Sequence, residues 1–233
     1  MISKAHISAV AAEFVGTFTL VLAVLTVTKS SLNLPFFISV TAGLVVASMM
    51  LLFGRVSGAQ LNPVITLGIW SLKRMTALRA ATYVGVQLLG GLLAYYLFAY
   101  FSGQRWHSTG QFETKLFAAE ALGTFLFALS WATVVYQRLE SARAAAVVGL
   151  SLILAFVAMS GAGVVTLNPA LALGLRSWTW GGSVFGPLVG AVAGFQLYNY
   201  LFAPEAAPAR QPITASPTNK PTSAQLQRRK SLQ

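Results

Sequence analysis

The chain states one arrangement twice. AAEFVGTFTLVL, beginning at Ala11, returns as AAEALGTFLFAL from Ala118 with seven of twelve positions identical. LNPVITLG (Leu61–Gly68) returns as LNPALALG (Leu167–Gly174) at five of eight, and LLGGLLAYYLFAY from Leu88 aligns with LVGAVAGFQLYNY from Leu188. The three elements recur in one order, at offsets of 107, 106 and 100 residues. Each copy carries three long apolar runs. An odd number of membrane crossings reverses direction, so the two copies must stand in opposite orientations. Such an inverted repeat places a substrate path between its halves.

Composition supplies the membrane. Apolar residues make up 56% of the chain and charged ones 9%, where a soluble domain has about a quarter charged. Six segments approach the roughly 20 apolar residues that a crossing needs: Ile7–Val27, Leu34–Phe53, Ala80–Phe101, Leu116–Tyr136, Ala144–Ala162 and Val184–Ala203. The first follows MISK without a small-residue cleavage site, so it reads as a retained span. The expected fold class is an all-α membrane protein of six transmembrane helices and two re-entrant half-helices. Residues 1–203 form its membrane domain, with repeats at about 7–101 and 116–203.

Charge sets the orientation. With a cytoplasmic amino terminus, twelve of the sixteen Lys and Arg fall inside, leaving Lys29, Arg105, Lys115 and Arg176 outside. The positive-inside bias then puts both termini in the cytoplasm, in the plasma membrane. Residues 204–233, rich in Pro, Ser, Thr and basic residues, bury too little apolar area to fold and are expected to be a disordered cytoplasmic tail. Its LQRRKSLQ either touches anionic lipid or is an idle solvated end.

The net charge of +11 lies at segment ends and in the tail, which does not suit a nucleic-acid partner. The absence of cysteine excludes disulfides and thiolate metal sites. Two histidines and five acids offer neither a nucleophile–base pair nor a ligand set. No enzyme and no cofactor is expected.

LNPVITLG and LNPALALG each follow a full span and are too short to cross. Asn favours the N-cap and Pro the first helical position, so both read as helix starts, the first running over Leu61–Leu72 and the second shorter. Two extramembrane amphipathic helices are the plainer alternative, but paired placement in an inverted repeat favours half-helices that enter from opposite faces and meet near mid-membrane. Irregular backbone at that depth must be buried or line a water-filled path. GRVSGAQ and GAGVVT, the preceding loops, supply it. The pore centre is then Asn62, Pro63 and Val64 with Asn168, Pro169 and Ala170. Each helix N-terminus carries roughly half a positive charge, a barrier to cations and hydronium. Each Asn caps through its oxygen and turns amide N–H donors to the lumen, orienting a passing water and interrupting a proton wire.

In AAEFVGTF, GRVSGAQLNPVITLG, AAEALGTF, LNPALALG and GPLVGA the chain resembles the major intrinsic protein family of aquaporins and glycerol facilitators, over about Ala11–Ala203. NPV in place of the first NPA is a departure. The resemblance implies an aquaporin-like channel, a homotetramer with one pore per subunit, passing water or small neutral solutes across the lipid bilayer.

Glu13 and Glu120 lie inside the first and fourth spans, and an intramembrane acid raises a functional question by default. One answer is proton coupling in an active transporter. The other, implied by the resemblance and favoured by symmetry, is a structural carboxylate that accepts backbone N–H bonds from the half-helix loops.

The outer constriction is where the resemblance breaks. Most of the family carries Arg directly after the second motif; here that position is Leu171. Ala42, Phe156 and Val165 fall at the other three constriction positions, and water-selective members usually have His where Phe156 stands. Such a ring has no charge and no side-chain donor, and apolar constrictions can dewet. Poor water flux with passage of glycerol, urea, ammonia or gases is therefore the alternative channel reading. Arg176 falls on another helical face, whereas Arg105 and His107 belong to a loop near the mouth.

Overall fold

The computed structural model describes residues 3–105 and 111–203, and those residues are helical without strands. The tail at 204–233 and His107 lie outside the described residues. The helices are α1 (Lys4–Thr28), α2 (Pro35–Phe53), α3 (Pro63–Ser71), α4 (Ala77–Ser102), α5 (Thr114–Gln137), α6 (Ser141–Met159), α7 (Pro169–Gly174) and α8 (Gly186–Leu201). Local chemistry sets their starts. The hydroxyls of Ser3 and Thr76 accept from the His6 and Arg79 N–H groups at 3.3 Å and cap α1 and α4. Pro35, Pro63 and Pro169 occupy first positions, where a missing N–H breaks no bond.

Among the described residues, five helical runs are long and apolar enough to cross a membrane: α1, α2, α4, α5, and α6 with the 3-10 turn Ser160–Ala162. The sixth expected span takes another form. At sixteen residues α8 is about 24 Å long, short of the roughly 30 Å hydrocarbon core. It continues directly from a π-helical segment, Trp180–Phe185, which supplies the missing length. That wider winding is anchored by Ser183, whose N–H donates to the Thr179 hydroxyl at 3.3 Å and whose hydroxyl donates to the Ser177 carbonyl at 2.9 Å.

Water does not drive helices together inside lipid, so close approach of small residues must do so. α1 packs on α4, α5 on α8, and α2 on α6. A Cβ on Gly90 would stand 2.9 Å from the Phe14 carbonyl oxygen, and one on Gly190 would collide with that of Ala121. Gly43 and Gly149 face one another, each closing on the other's carbonyl oxygen. The first two pairings are related by the sequence offsets of the repeat, so that crossing is built twice, whereas the third joins the two repeat partners α2 and α6 to one another.

α3 and α7 are shorter than the sequence suggests, nine and six residues, or about 14 and 9 Å. Leu61 and Leu167 are left-handed, both with φ of 52°, so neither belongs to the helix it precedes. At the far ends Lys73 and Arg176 are left-handed as well, at 56° and 58°, and stop the helices.

Candidate functional site

The half-helices meet at their N-termini. The Asn62 side-chain oxygen accepts from the Val64 N–H at 3.1 Å, and that of Asn168 accepts from Ala170 at 2.9 Å and Leu171 at 3.4 Å. Each amide nitrogen reaches across the junction. Asn62 Nδ2 donates to the Leu167 carbonyl at 2.8 Å, and Asn168 Nδ2 to the Leu61 carbonyl at 2.9 Å. This corrects the expectation that the amide donors all face the lumen. An amide carries two N–H donors, and one of each Asn holds the opposite loop, because the left-handed turn presents the leucine carbonyl to it.

Both acids grip those same loops. Glu13 accepts from the N–H groups of Gln60 at 2.9 Å and Leu61 at 2.8 Å, and from Gln87 Nε2 at 2.8 Å. Glu120 accepts from the N–H groups of Thr166 and Leu167, both at 2.6 Å, and from the Thr166 hydroxyl at 2.9 Å. Both carboxyls are fully buried. A left-handed non-glycine residue costs about 1–3 kcal/mol and persists only where its surroundings over-determine it. Leu61 and Leu167 meet that condition: a glutamate holds the N–H, an asparagine holds the carbonyl, and the side chain packs into the space over Gly16 or Gly123. Left-handed Gly58 (φ 100°) and Gly163 (φ 119°) turn the preceding loops.

Three cavities lie along the axis between the halves. A vestibule of about 440 Å³ opens where α1 ends and α2 begins, walled by Lys29, Asn33, Ser39, Val165, Phe156 and Leu171 among others. A second, of about 340 Å³, opens at the opposite ends of α2 and α6, with Arg55, Arg74, Glu140 and Gln60 in its wall. Between them is a central cavity of about 10 Å³, about the space of one water. Asn62, Asn168, Gln60, Thr166, Leu20, Ala42 and Phe127 border it. Phe156 and Leu171 separate it from the first vestibule, and Gln60 from the second.

The structure therefore gathers the residues singled out in the sequence. Phe156 and Leu171, the latter only 1% exposed, border both the central cavity and the first vestibule at the neck between them, whereas Ala42 borders only the cavity and Val165 only the vestibule. Pro63, Val64, Pro169 and Ala170 form the first turns behind the two asparagines and are buried. Arg176 stacks over the Tyr95 ring at 5.1 Å, away from the neck, and Arg105 is exposed outside the vestibule walls. Sequence reasoning missed Gln60, Thr66, Gln87 and Thr166. The Thr66 hydroxyl donates to Gln60 Oε1 at 2.7 Å, and Gln87 Nε2 donates to it at 3.0 Å, tying the first loop to α4. In the second half Thr166 stands opposite Gln60 in the repeat and bonds the acid itself, so no identity in the alignment marks either residue. Leu20 and Phe127, on the central cavity, are repeat partners that the AAE alignment places together.

The family model described as major intrinsic protein matches residues 1–198. Aquaporin Z of Photorhabdus laumondii is 29% identical over 224 residues, covering 83% of this chain and 96% of that one. A protein of Thermotoga maritima named as a probable glycerol uptake facilitator is 25% identical over 230 residues, covering 82% and 98%. The solved aquaglyceroporin of Plasmodium falciparum superposes with a TM-score of 0.71 at 22% identity, covering 84% of this chain and 96% of its own.

Proposed function

The chain belongs to the major intrinsic protein family, that of the aquaporins and glycerol facilitators, and from that premise we propose that it conducts water and small uncharged solutes passively between Asn62 and Asn168. It is an integral membrane channel and not an enzyme. The observation that carries the proposal is the junction of two half-helix N-termini at a cavity with room for about one water, placed between two vestibules. Each N-terminus contributes roughly half a positive charge, which opposes any cation, hydronium included. The remaining N–H of each asparagine donates to the solute's oxygen. A water so held cannot pass a proton along a continuous chain.

Within this class, the neck favours solutes carrying carbon over water alone. Phe156 and Leu171 offer a desolvated water no hydrogen bond in return, whereas a polyol or an amide presents apolar edges to them. A proton-coupled transporter finds less support. Each carboxyl of Glu13 and Glu120 already accepts three bonds that hold the loops, and neither borders the central cavity. We further propose a homotetramer of one-pore subunits in the plasma membrane, with both termini and the Arg55 vestibule cytoplasmic and residues 1–203 as the channel domain.

Proteoliposomes shrunk with sucrose, glycerol or urea in a stopped-flow instrument test the function. Shrinkage and reswelling faster than in empty liposomes is expected, with glycerol or urea entry exceeding what water flux alone allows. Rates equal to empty liposomes for every osmolyte would remove the channel reading. Collapse of uptake with a protonophore would restore the transporter.

A further inference from the structure

We propose that Arg79 and Tyr83 are positioning residues: from behind the first loop they hold Gln60 at the boundary between the central cavity and the second vestibule. The proposal rests on the passive-channel reading above and adds to it two side chains that touch no solute. In the loop between α2 and α3, Gly58, Ala59 and Leu61 are all left-handed, at φ of 100°, 48° and 52°. Two of them are not glycine, and such backbone persists only where its surroundings over-determine it. Leu61 is fixed by Glu13 and Asn168. Ala59 depends on Ser57, whose hydroxyl accepts its N–H at 2.9 Å. Ser57 in turn is fixed from α4. Its carbonyl accepts from the Tyr83 hydroxyl at 3.1 Å and from Arg79 Nη2 at 3.3 Å, and the same Nη2 donates to the Tyr83 oxygen at 2.7 Å. The guanidinium also lies over the Tyr83 ring, 5.0 Å from its centroid.

This latch stands on the side of the loop away from the passage. Gly58 and Gln60 border the second vestibule, and Gln60 the central cavity too, whereas Ser57, Arg79 and Tyr83 border neither. A guanidinium bond is about twice as strong as a neutral one, but Arg79 is exposed and water competes for it. Tyr83 is fully buried, so its hydroxyl must find its partners within the protein and carries the larger share. Among the described residues, the second half shows no copy. Counted at the repeat's offset of 100, Thr179 and Ser183 take the places of Arg79 and Tyr83. Their bonds stay within their own segment, to one another and to the Ser177 carbonyl. The second loop is held instead by Lys115 Nζ, which donates to the Gly161 carbonyl at 3.0 Å. Released at Ser57, the first loop can leave its left-handed run and bring Gln60 into a passage with room for about one water. Glycerol, the larger solute, is then hindered more than water.

Three variants of the full chain test this. Tyr83→Phe removes the hydroxyl and keeps the ring, Arg79→Gln removes the cation, and Arg79→Lys keeps a charged donor. Water and glycerol permeabilities are measured in the same proteoliposomes by stopped flow, and backbone amide exchange in both loops is followed by mass spectrometry. Tyr83→Phe should lower the glycerol-to-water ratio by about threefold or more, the worth of one ordinary hydrogen bond. Arg79→Gln should lower it by a smaller factor, and Arg79→Lys should keep it. Exchange at residues 57–60 should quicken in the first two variants while that at 163–166 stays as in the unaltered chain, since a general loss of stability quickens both. Should Tyr83→Phe fail to fold, Arg79→Gln set against Arg79→Lys decides. A ratio that both Tyr83→Phe and Arg79→Gln leave unchanged overturns the proposal, and so does equal quickening of the two loops. If the unaltered chain passes neither solute, the channel reading itself falls, and this one with it.

Discussion

Asn62 and Leu167 are joined across the half-helix junction by an amide-to-carbonyl hydrogen bond of 2.8 Å, and Asn168 and Leu61 return it at 2.9 Å. Each half-helix is therefore capped by its own asparagine and tethered by the other's. The junction is a closed exchange, so damage to one side is felt on the other.

Asn62→Ala and Asn168→Ala should each destabilise the protein by about 1–2 kcal/mol through loss of the cap, with about 1 kcal/mol more from the tether. Because the two tethers share one junction, the double variant should depart from additivity by more than about 0.5 kcal/mol. Unfolding in mixed detergent micelles, followed by circular dichroism across the four proteins, measures this. Strict additivity would show the two tethers to be independent.

Glu120→Gln replaces an oxygen that accepts from Thr166 or Leu167 by an NH₂ group, which sets donor against donor in a fully buried site. A loss of about 3 kcal/mol or more is expected. Thr166→Val removes only the hydroxyl donor at 2.9 Å and should cost about 1 kcal/mol. If the order of the two variants in the same unfolding assay were reversed, Glu120 would not be the clamp described.

Widening or charging the neck should redirect traffic. Phe156→Ala removes the larger wall between the first vestibule and the central cavity, and glycerol entry should rise by about tenfold. Leu171→Arg places a donor-rich cation in the same wall, so the ratio of water to glycerol permeability should increase. Stopped-flow light scattering on matched proteoliposomes reads both, and an unchanged ratio in both variants would remove the neck as the selective element.

Two glycines separate packing from propensity. A Cβ at Gly190 meets the Ala121 carbonyl oxygen, so Gly190→Ala must push α8 from α5 and should cost about 2 kcal/mol or more. Gly85 on exposed α4 surface has nothing near its missing Cβ, and Gly85→Ala should gain about 0.5–1 kcal/mol from helix propensity alone. Thermal unfolding midpoints that move in the same direction would contradict the crossing geometry.

Much of this was legible in the chain because the repeat is a covalent fact. Glu13 and Glu120, Asn62 and Asn168, and Gly16 and Gly123 lie at matching places in two copies of one pattern, and an odd number of spans forces the copies to oppose. The lengths of the apolar runs together with the Asn–Pro starts placed the helices to within a few residues. Leu171 was singled out from an unbroken motif and Phe156 by its distance from the Asn residues, and the structure brings both to the boundary between the central cavity and the first vestibule.

Tertiary structure decided what distance along the chain does not encode. That Asn62 spends one donor on Leu167, 105 residues away, follows from a left-handed turn at each leucine. No residue preference announces such a turn, because leucine disfavours it. The turn exists only because a glutamate, an asparagine and a glycine from three other segments hold it. Likewise the sixth span reaches its length through a π-helical start, which depends on Thr179 and Ser183 finding one another. The roles of Gln87 and Thr166 arise only once α4 and the second loop are placed beside the acids. Sequence alone determined two inverted halves and the side chains that meet between them. Packing determined which hydrogen-bond donors are consumed in holding those halves together and which are left for the solute, because a buried polar group takes whatever partner the fold brings within reach.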